Sequence, residues 1–227
     1  MADDSKPTLL ERIVLEPAKS ATACVIWLHG LGADGHDFVP IVRELGLPTE
    51  LGVRFVFPHA PAIGVTINGG MVMPAWYDIL GMDFERREDE AGVLLSTRRL
   101  EALIADQRAQ GIASERIVVA GFSQGGAIAL HAGLRHAEPL AGIMALSTYM
   151  VLGESLEAQA SEANRGVPIL QCHGSQDPMV PIGRGQAARE RMEALGYAVE
   201  WHSYPMQHQV CAEEIDEVGR WLRRVLA

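Results

Sequence analysis

The feature that most constrains the fold of this chain is a glycine-rich turn that holds a serine between a strand and a helix. Residues 121–126 read Gly-Phe-Ser-Gln-Gly-Gly, with a strand-like run at 116–120 before them and a helix-compatible run at 127–132 after them. A serine becomes an effective nucleophile when a tight turn lifts its hydroxyl toward a base and leaves backbone N–H groups free to meet an oxyanion. The G-x-S-x-G pattern in this strand–turn–helix context therefore predicts that Ser123 is a nucleophile.

An acid and a histidine follow Ser123 in the chain order that such a site requires, which is Ser, then Asp or Glu, then His. The run 167–172 predicts a buried strand, and Asp177 lies in the loop after it. The run 197–202 predicts the next strand, and His208 lies in the loop that follows. Loops after parallel strands gather at one edge of a sheet, so we predict that Ser123, Asp177 and His208 are the catalytic residues.

These assignments compete with simpler interpretations. An aspartate before a proline is often only a turn former, so Asp177 also fits a purely structural role. Asp78 is a rival acid, although it precedes the serine in the chain. Of the eight histidines, only His208 combines the required order with a position in a loop after a strand.

A second glycine-rich loop, His-Gly-Leu-Gly-Ala-Asp-Gly at 29–35, follows the apolar strand predicted at 23–28. Its glycines allow the Leu31 amide to point into the site, where it would form the oxyanion hole together with the Gln124 amide. The loop also spells G-x-G-x-x-G, a pattern typical of dinucleotide-binding folds. Such a fold requires an acidic residue at the end of the next strand, whereas the strand at 53–57 ends in Pro-His-Ala-Pro, so the oxyanion role is favoured.

The whole chain alternates between strand-like and helical runs from about residue 22 to its end, which predicts an α/β fold with a mainly parallel sheet. Its 227 residues are enough for one domain with a sizeable core. We therefore predict a single domain over 1–227, with a loose polar segment at 1–8. The longest predicted helix covers 88–110.

Charge and composition exclude several functional classes. The formal net charge of −10 argues against a nucleic-acid partner, which needs a basic surface. No long apolar span or basic amphipathic helix indicates membrane insertion, and the acidic N-terminus does not resemble a secretory signal. Three cysteines, two of them in predicted core strands, indicate reduced thiols in a cytoplasmic protein, and no spacing of Cys and His predicts a metal site.

Five stretches of the sequence, in order, resemble the carboxylesterase, acyl-protein thioesterase and lysophospholipase family of small α/β-hydrolases. They are the segments 28–35, 73–79 and 121–126, together with the loops of Asp177 and His208. The resemblance implies an α/β-hydrolase fold, with a mainly parallel central sheet flanked by helices and no separate lid domain. Within the family, the stretches 66–70 and 145–149 look most like the bacterial carboxylesterase branch.

The same resemblance implies a serine carboxylesterase that hydrolyses small-molecule acyl esters of short to medium chain length without a cofactor. Lysophospholipids and acyl thioesters are the alternative substrates. It further implies an acyl pocket lined by Leu80, Tyr149 and Met179, and a homodimer.

The histidine loop departs from the family pattern. Relatives usually have a glycine directly before the histidine and often a glutamate after it, whereas this chain has Gln207 and Gln209. We expect a different loop backbone, which would affect the orientation of His208. A displaced His208 would leave the second interpretation, a non-catalytic acyl-binding protein on a hydrolase scaffold.

Overall fold

The computed structural model describes residues 9–81 and 88–227, so the segment 1–8, for which we predicted a loose conformation, lies outside the described residues. The strands of the described part are β1 (Arg12–Leu15), β2 (Ala23–Leu28), β3 (Val53–Pro58), β4 (Ala62–Val65), β5 (Met71–Pro74), β6 (Ile117–Phe122), β7 (Gly142–Leu146), β8 (Ile169–Gly174) and β9 (Val199–Tyr204). Seven of them form one sheet in the order β1-β3-β2-β6-β7-β8-β9.

The sheet is parallel except at one edge, where β1 runs antiparallel to β3. The connecting helices are α1 (Glu90–Ala109), α2 (Gln124–Gly133), α3 (Leu156–Gln159), α4 (Ile182–Ala194) and α5 (Ala212–Val225). Helix α1 is the long helix predicted at 88–110. The side chain of Asp89 caps its N-terminus by accepting from the Gly92 amide.

The core lies on both faces of the sheet. Along β2, Cys24, Ile26 and Leu28 belong to the layer that also contains buried residues of α1, α2 and α4. The alternate residues Ala23, Val25 and Trp27 belong to the opposite layer, together with buried residues of α5. Burial on both faces explains why the central strands are continuous apolar runs rather than alternating ones. The prediction of a mainly parallel sheet flanked by helices is confirmed.

A hairpin of β4 and β5 stands apart from the main sheet and was not predicted. Its strands have four residues each, and Met71 and Val72 at the start of β5 are largely exposed. A hairpin this short, with apolar residues facing solvent, has no periodic pattern that distinguishes it from a loop. The end of the hairpin lies against the loop after β2, where the Gly32 amide donates to the Pro74 carbonyl at 2.9 Å.

Candidate active site

Ser123 occupies the turn between β6 and α2 in a backbone conformation that few residues adopt, with φ 54° and ψ −121°. The close approach of strand and helix requires the glycines on either side. A Cβ on Gly121 would lie 2.3 Å from the carbonyl of Gly125, and a Cβ on Gly125 would lie 2.5 Å from the carbonyl oxygens of Leu28 and His29. The strained turn therefore presents Ser123 at the carboxyl edge of the sheet, as expected from the motif.

The structure brings the three residues of the predicted triad into one hydrogen-bonded chain. His208 Nε2 lies 2.9 Å from Ser123 Oγ, and His208 Nδ1 lies 2.6 Å from Asp177 Oδ2. The ring of His208 packs beside Phe122 at 4.7 Å between ring centroids. This contact holds the imidazole against the end of β6, directly next to the serine.

Asp177 is buried, and both of its carboxylate oxygens have partners. Oδ1 accepts from the backbone amides of Met179 and Val180, each at 2.8 Å, which leaves Oδ2 to face the imidazole. These three contacts fix the orientation of the buried carboxylate. The Asp-Pro turn thus serves a structural purpose and also aims one oxygen at His208, so the two interpretations of Asp177 are compatible.

The histidine loop holds His208 between Asp177 and Ser123 with Gln207 directly before it. The non-glycine residues with positive φ in the described part of the chain are Ser123, Ser147 and Leu152, so Gln207 has an ordinary backbone conformation. Its side chain is exposed, and its carbonyl packs over Gly174, where a Cβ would lie 2.3 Å from the oxygen. The close approach at this point depends on Gly174 rather than on a glycine at position 207.

The two amides predicted for the oxyanion hole lie on separate segments. Gln124 is the first residue of α2, so its N–H has no partner within the helix. Leu31 lies in the turn after β2, and its amide donates no hydrogen bond within the described residues. No helix begins directly after this glycine-rich loop; the chain continues through turns to a short 3-10 helix at Pro40–Arg43. The dinucleotide interpretation therefore lacks the helix N-terminus that would hold a pyrophosphate.

Two residues that support the serine turn were not found from the sequence. The hydroxyl of Thr148 donates to the Ser123 carbonyl at 2.5 Å, and the Ser123 amide donates to the Leu146 carbonyl at 2.8 Å. Ser147 between them is fully buried with φ 45°. In the sequence, the stretch 145–149 is distinguished only by its family resemblance. Its hydrogen bonds to the serine turn join residues that are more than 20 positions apart, so no local pattern predicts them.

A shallow cleft lies close to the serine turn, lined by Tyr77, Asp78, Ile79, Leu80, Gly81, Glu88, Asp89, Tyr149, Val151 and Arg184. Two of the three residues implied for an acyl pocket, Leu80 and Tyr149, are in this wall. Met179 is not, and about two thirds of its surface is exposed. Its backbone amide donates to Asp177. Met179 therefore contributes to the site through its backbone, and its side chain is not part of the described cleft.

Burial favours the neutral forms of several polar groups near the serine. It raises the pKa of Tyr77 well above its usual value, and the Tyr77 hydroxyl is hydrogen-bonded to that of Tyr149 at 2.7 Å. It lowers the pKa of His29, whose Nδ1 donates to the Gly30 carbonyl and whose Nε2 accepts from the Ala60 amide. These side chains therefore act as hydrogen-bonding groups that shape the site without adding charge.

Both carboxylate oxygens of Asp78, the rival acid, accept hydrogen bonds from Thr66 in the connection between β4 and β5. Its Oδ1 accepts from the Thr66 amide at 2.7 Å and its Oδ2 from the Thr66 hydroxyl at 2.5 Å.

Among the described residues, the groups whose geometry could hold a metal ion are Asp34, His36 and His59, and separately Glu200, His202 and Glu217. Neither group includes Ser123, Asp177 or His208.

A mainly parallel sheet with this arrangement at its carboxyl edge defines an α/β-hydrolase. The model of the Phospholipase/Carboxylesterase family matches residues 10–226. The chain therefore belongs to the phospholipase/carboxylesterase family of hydrolases. None of the helices in the described ranges is long and apolar enough to span a lipid bilayer.

Known relatives resemble this chain over nearly its whole length. An acyl-protein thioesterase 1 from Gibberella zeae is 41% identical over 223 residues, covering 94% of this chain and 95% of that protein. The crystal structure of SOBER1 from Arabidopsis thaliana has a TM-score of 0.85 and 31% identity, covering 90% of this chain and 99% of that one. Acyl-protein thioesterase 2 from Zea mays also has a TM-score of 0.85, with 28% identity, covering 96% of this chain and 100% of that one.

Proposed function

We propose that this protein is a serine carboxylesterase that hydrolyses acyl esters of short to medium chain length through an acyl-enzyme intermediate. The observation that carries the proposal is the continuous hydrogen-bonded chain from Asp177 through His208 to Ser123. Nucleophile, base and orienting acid within hydrogen-bond reach are the signature of covalent acyl transfer. His208 is not displaced from Ser123, which favours the catalytic interpretation over a non-catalytic acyl-binding protein.

Each group has a defined part in the proposed reaction. His208 Nε2 takes the Ser123 proton as Oγ attacks the acyl carbonyl carbon, and the carbonyl oxygen becomes an oxyanion that the Leu31 and Gln124 amides stabilise. The imidazolium then gives its proton to the leaving alcohol as the carbon–oxygen bond breaks. Water, deprotonated by His208, attacks the acyl-serine in the same way and releases the carboxylic acid. Asp177 stabilises the imidazolium in both stages.

The cleft supports an acyl substrate. Two residues of its wall are linked to the serine turn. The Tyr77 carbonyl accepts a hydrogen bond from the Gln124 side chain, and Tyr149 directly follows Thr148, whose hydroxyl donates to the Ser123 carbonyl. Leu80 and Val151 add apolar surface to its wall. The same wall also carries charged side chains, those of Asp78, Glu88, Asp89 and Arg184. Small-molecule sites combine apolar surface with polar groups that orient the ligand.

A second candidate is the hydrolysis of acyl thioesters, which the 41% identity to an acyl-protein thioesterase over almost the full length favours. The mechanism is unchanged, because a thiolate leaves from the same tetrahedral intermediate. Lysophospholipids are a third substrate class compatible with this chemistry. We further propose that the protein acts in the cytoplasm and forms a homodimer.

A substrate panel tests these alternatives. We suggest p-nitrophenyl esters from acetyl to lauroyl, a lysophosphatidylcholine and an octanoyl thioester, each with the wild-type protein and with Ser123→Ala as the matched control. We expect Ser123-dependent ester turnover with the highest kcat/KM at a short or medium chain. A kcat/KM that is far higher for the thioester would instead favour the thioesterase candidate. No Ser123-dependent turnover of any substrate would contradict the proposal.

A further inference from the structure

The proposed oxyanion hole has to keep two amides from distant segments at a fixed separation. Leu31 lies in the loop after β2, and Gln124 lies at the start of α2, 93 positions later in the sequence. A segment that was not assigned a catalytic role from the sequence lies against both. This segment, residues 74–77, begins at the last residue of β5 and is called the strap below.

The side chain of Gln124 holds the strap through two hydrogen bonds. Its Oε1 accepts from the Trp76 amide at 2.8 Å, and its Nε2 donates to the Tyr77 carbonyl at 2.7 Å. The Gln124 side chain is buried, and Trp76 and Tyr77 are buried as well. A primary amide that bonds one backbone N–H and one backbone C=O is matched at both ends, so neither a carboxylate nor an apolar side chain can replace it fully.

The strap in turn holds the other oxyanion segment. The indole N–H of Trp76 donates to the His29 carbonyl at 2.8 Å, and the Pro74 carbonyl accepts from the Gly32 amide at 2.9 Å. These two bonds lie on either side of Leu31 in the sequence. The strap is therefore a bridge: one side binds the residue that carries the first oxyanion amide, and the other side binds both flanks of the second.

From this bridge we infer that the Gln124 side chain is a positioning residue, which fixes the distance between the two oxyanion amides through Trp76. The inference rests on the proposed function, because it concerns the same oxyanion hole. Catalytic donors have to meet the oxyanion at 2.7–3.1 Å, so a small displacement of the Leu31 loop weakens transition-state binding more than substrate binding. The bridge thus contributes to kcat and only slightly to KM.

Substitutions of Gln124, Trp76 and Ser96 test this inference directly. Gln124→Met removes both bonds to the strap at similar volume, and Gln124→Glu keeps an acceptor for Trp76 but cannot donate to Tyr77. Trp76→Phe retains an aromatic ring and removes only the bond to His29. Ser96→Ala is the matched control, because the Ser96 hydroxyl on α1 also donates to the strap, at the Trp76 carbonyl. Among the described residues, it makes no hydrogen bond to either oxyanion segment.

We expect Gln124→Met and Trp76→Phe to lower kcat for a p-nitrophenyl ester by about tenfold, less than the loss of a whole oxyanion donor, with KM within about threefold. Their affinity for an alkyl trifluoromethyl ketone, which forms an oxyanion on the enzyme, should fall by the same factor. Gln124→Glu should show a similar or smaller loss, and it serves as the partial variant if Gln124→Met does not fold. Ser96→Ala should keep the wild-type kcat and ketone affinity even where its melting temperature is lower.

Hydrogen–deuterium exchange separates this inference from the proposed function. In Gln124→Met, peptides covering 29–33 and 74–78 should exchange faster than in the wild type, and in Ser96→Ala the first peptide should not. This readout stands even if the wild-type protein hydrolyses no ester in the panel, an outcome that would contradict the proposed function alone. Wild-type kcat and exchange in Gln124→Met, or an equal loss of kcat in Ser96→Ala, would overturn the inference.

Discussion

Replacing Asp177 by asparagine should leave the fold intact and reverse the direction of the hydrogen bond to His208. Asp177 Oδ1 faces two backbone N–H donors, so the single carbonyl oxygen of an asparagine has to remain on that side. The NH₂ group then faces His208 Nδ1, to which it can only donate. The imidazole would therefore carry its proton on Nε2, which points at Ser123 Oγ and could no longer accept the serine proton.

The size of the effect follows from this tautomer. The corresponding substitution in a serine protease triad lowers kcat by about 10⁴, which is about 5.5 kcal/mol of transition-state stabilisation. The same Asp–His–Ser hydrogen-bonded arrangement is present here, so we expect a loss of at least about 100-fold in kcat, and of up to about 10⁴. The residual rate would come from the oxyanion amides and from substrate binding, which the substitution does not touch.

The assay is steady-state hydrolysis of p-nitrophenyl butyrate, with circular dichroism to show that the variant is folded. Asp78→Asn is the matched control, because it makes the same chemical change in the rival acid. Within residues 9–81 and 88–227, its oxygens accept hydrogen bonds only from Thr66, and an asparagine can keep both contacts, so kcat should stay close to wild type. An Asp177→Asn variant with near-normal kcat, alongside an inactive Asp78→Asn, would refute the assignment of the acid.

Three further predictions concern the serine turn and the core. Ser123→Ala should abolish ester hydrolysis and covalent labelling by a fluorophosphonate; labelling that persists would place the nucleophile on another serine. Gly125→Ala should destabilise the fold by about 1–3 kcal/mol in urea unfolding, because its Cβ meets backbone carbonyls that cannot move freely, and an unchanged midpoint would contradict this steric argument. Burial raises the pKa of Glu214 to about 8, so the folded state retains a proton that the unfolded state releases above its ordinary value, and stability should fall as pH rises between the two values. Glu214→Gln should therefore gain stability over wild type as pH rises from 5 to 8, by at most about 4 kcal/mol; a difference that does not depend on pH would contradict the burial of an acid there.

Part of the site could be predicted because it depends on local patterns. The strand–turn–helix around Ser123 follows from residues adjacent in the chain, and the loops of Asp177 and His208 follow from apolar runs that end in turn residues. Parallel strands place the loops after β6, β8 and β9 at one edge, so the chain order alone was enough to bring the three residues together. The lining of the acyl pocket could not be predicted in this way, since whether Met179 faces a cleft depends on the path of several loops at once.

The sequence by itself determined the alternation of strands and helices, the α/β class and the order of the reactive residues, because each depends on neighbours within a few positions. Tertiary structure alone decided that Gln207 can stand directly before His208, since Gly174 at the end of β8 provides the close approach. It also decided that Gln124 binds Trp76 across 48 positions and that Trp76 binds His29 across 47. Contacts of this kind have no period or spacing in the chain; they exist only after burial has brought the segments together and required each polar group to find a partner.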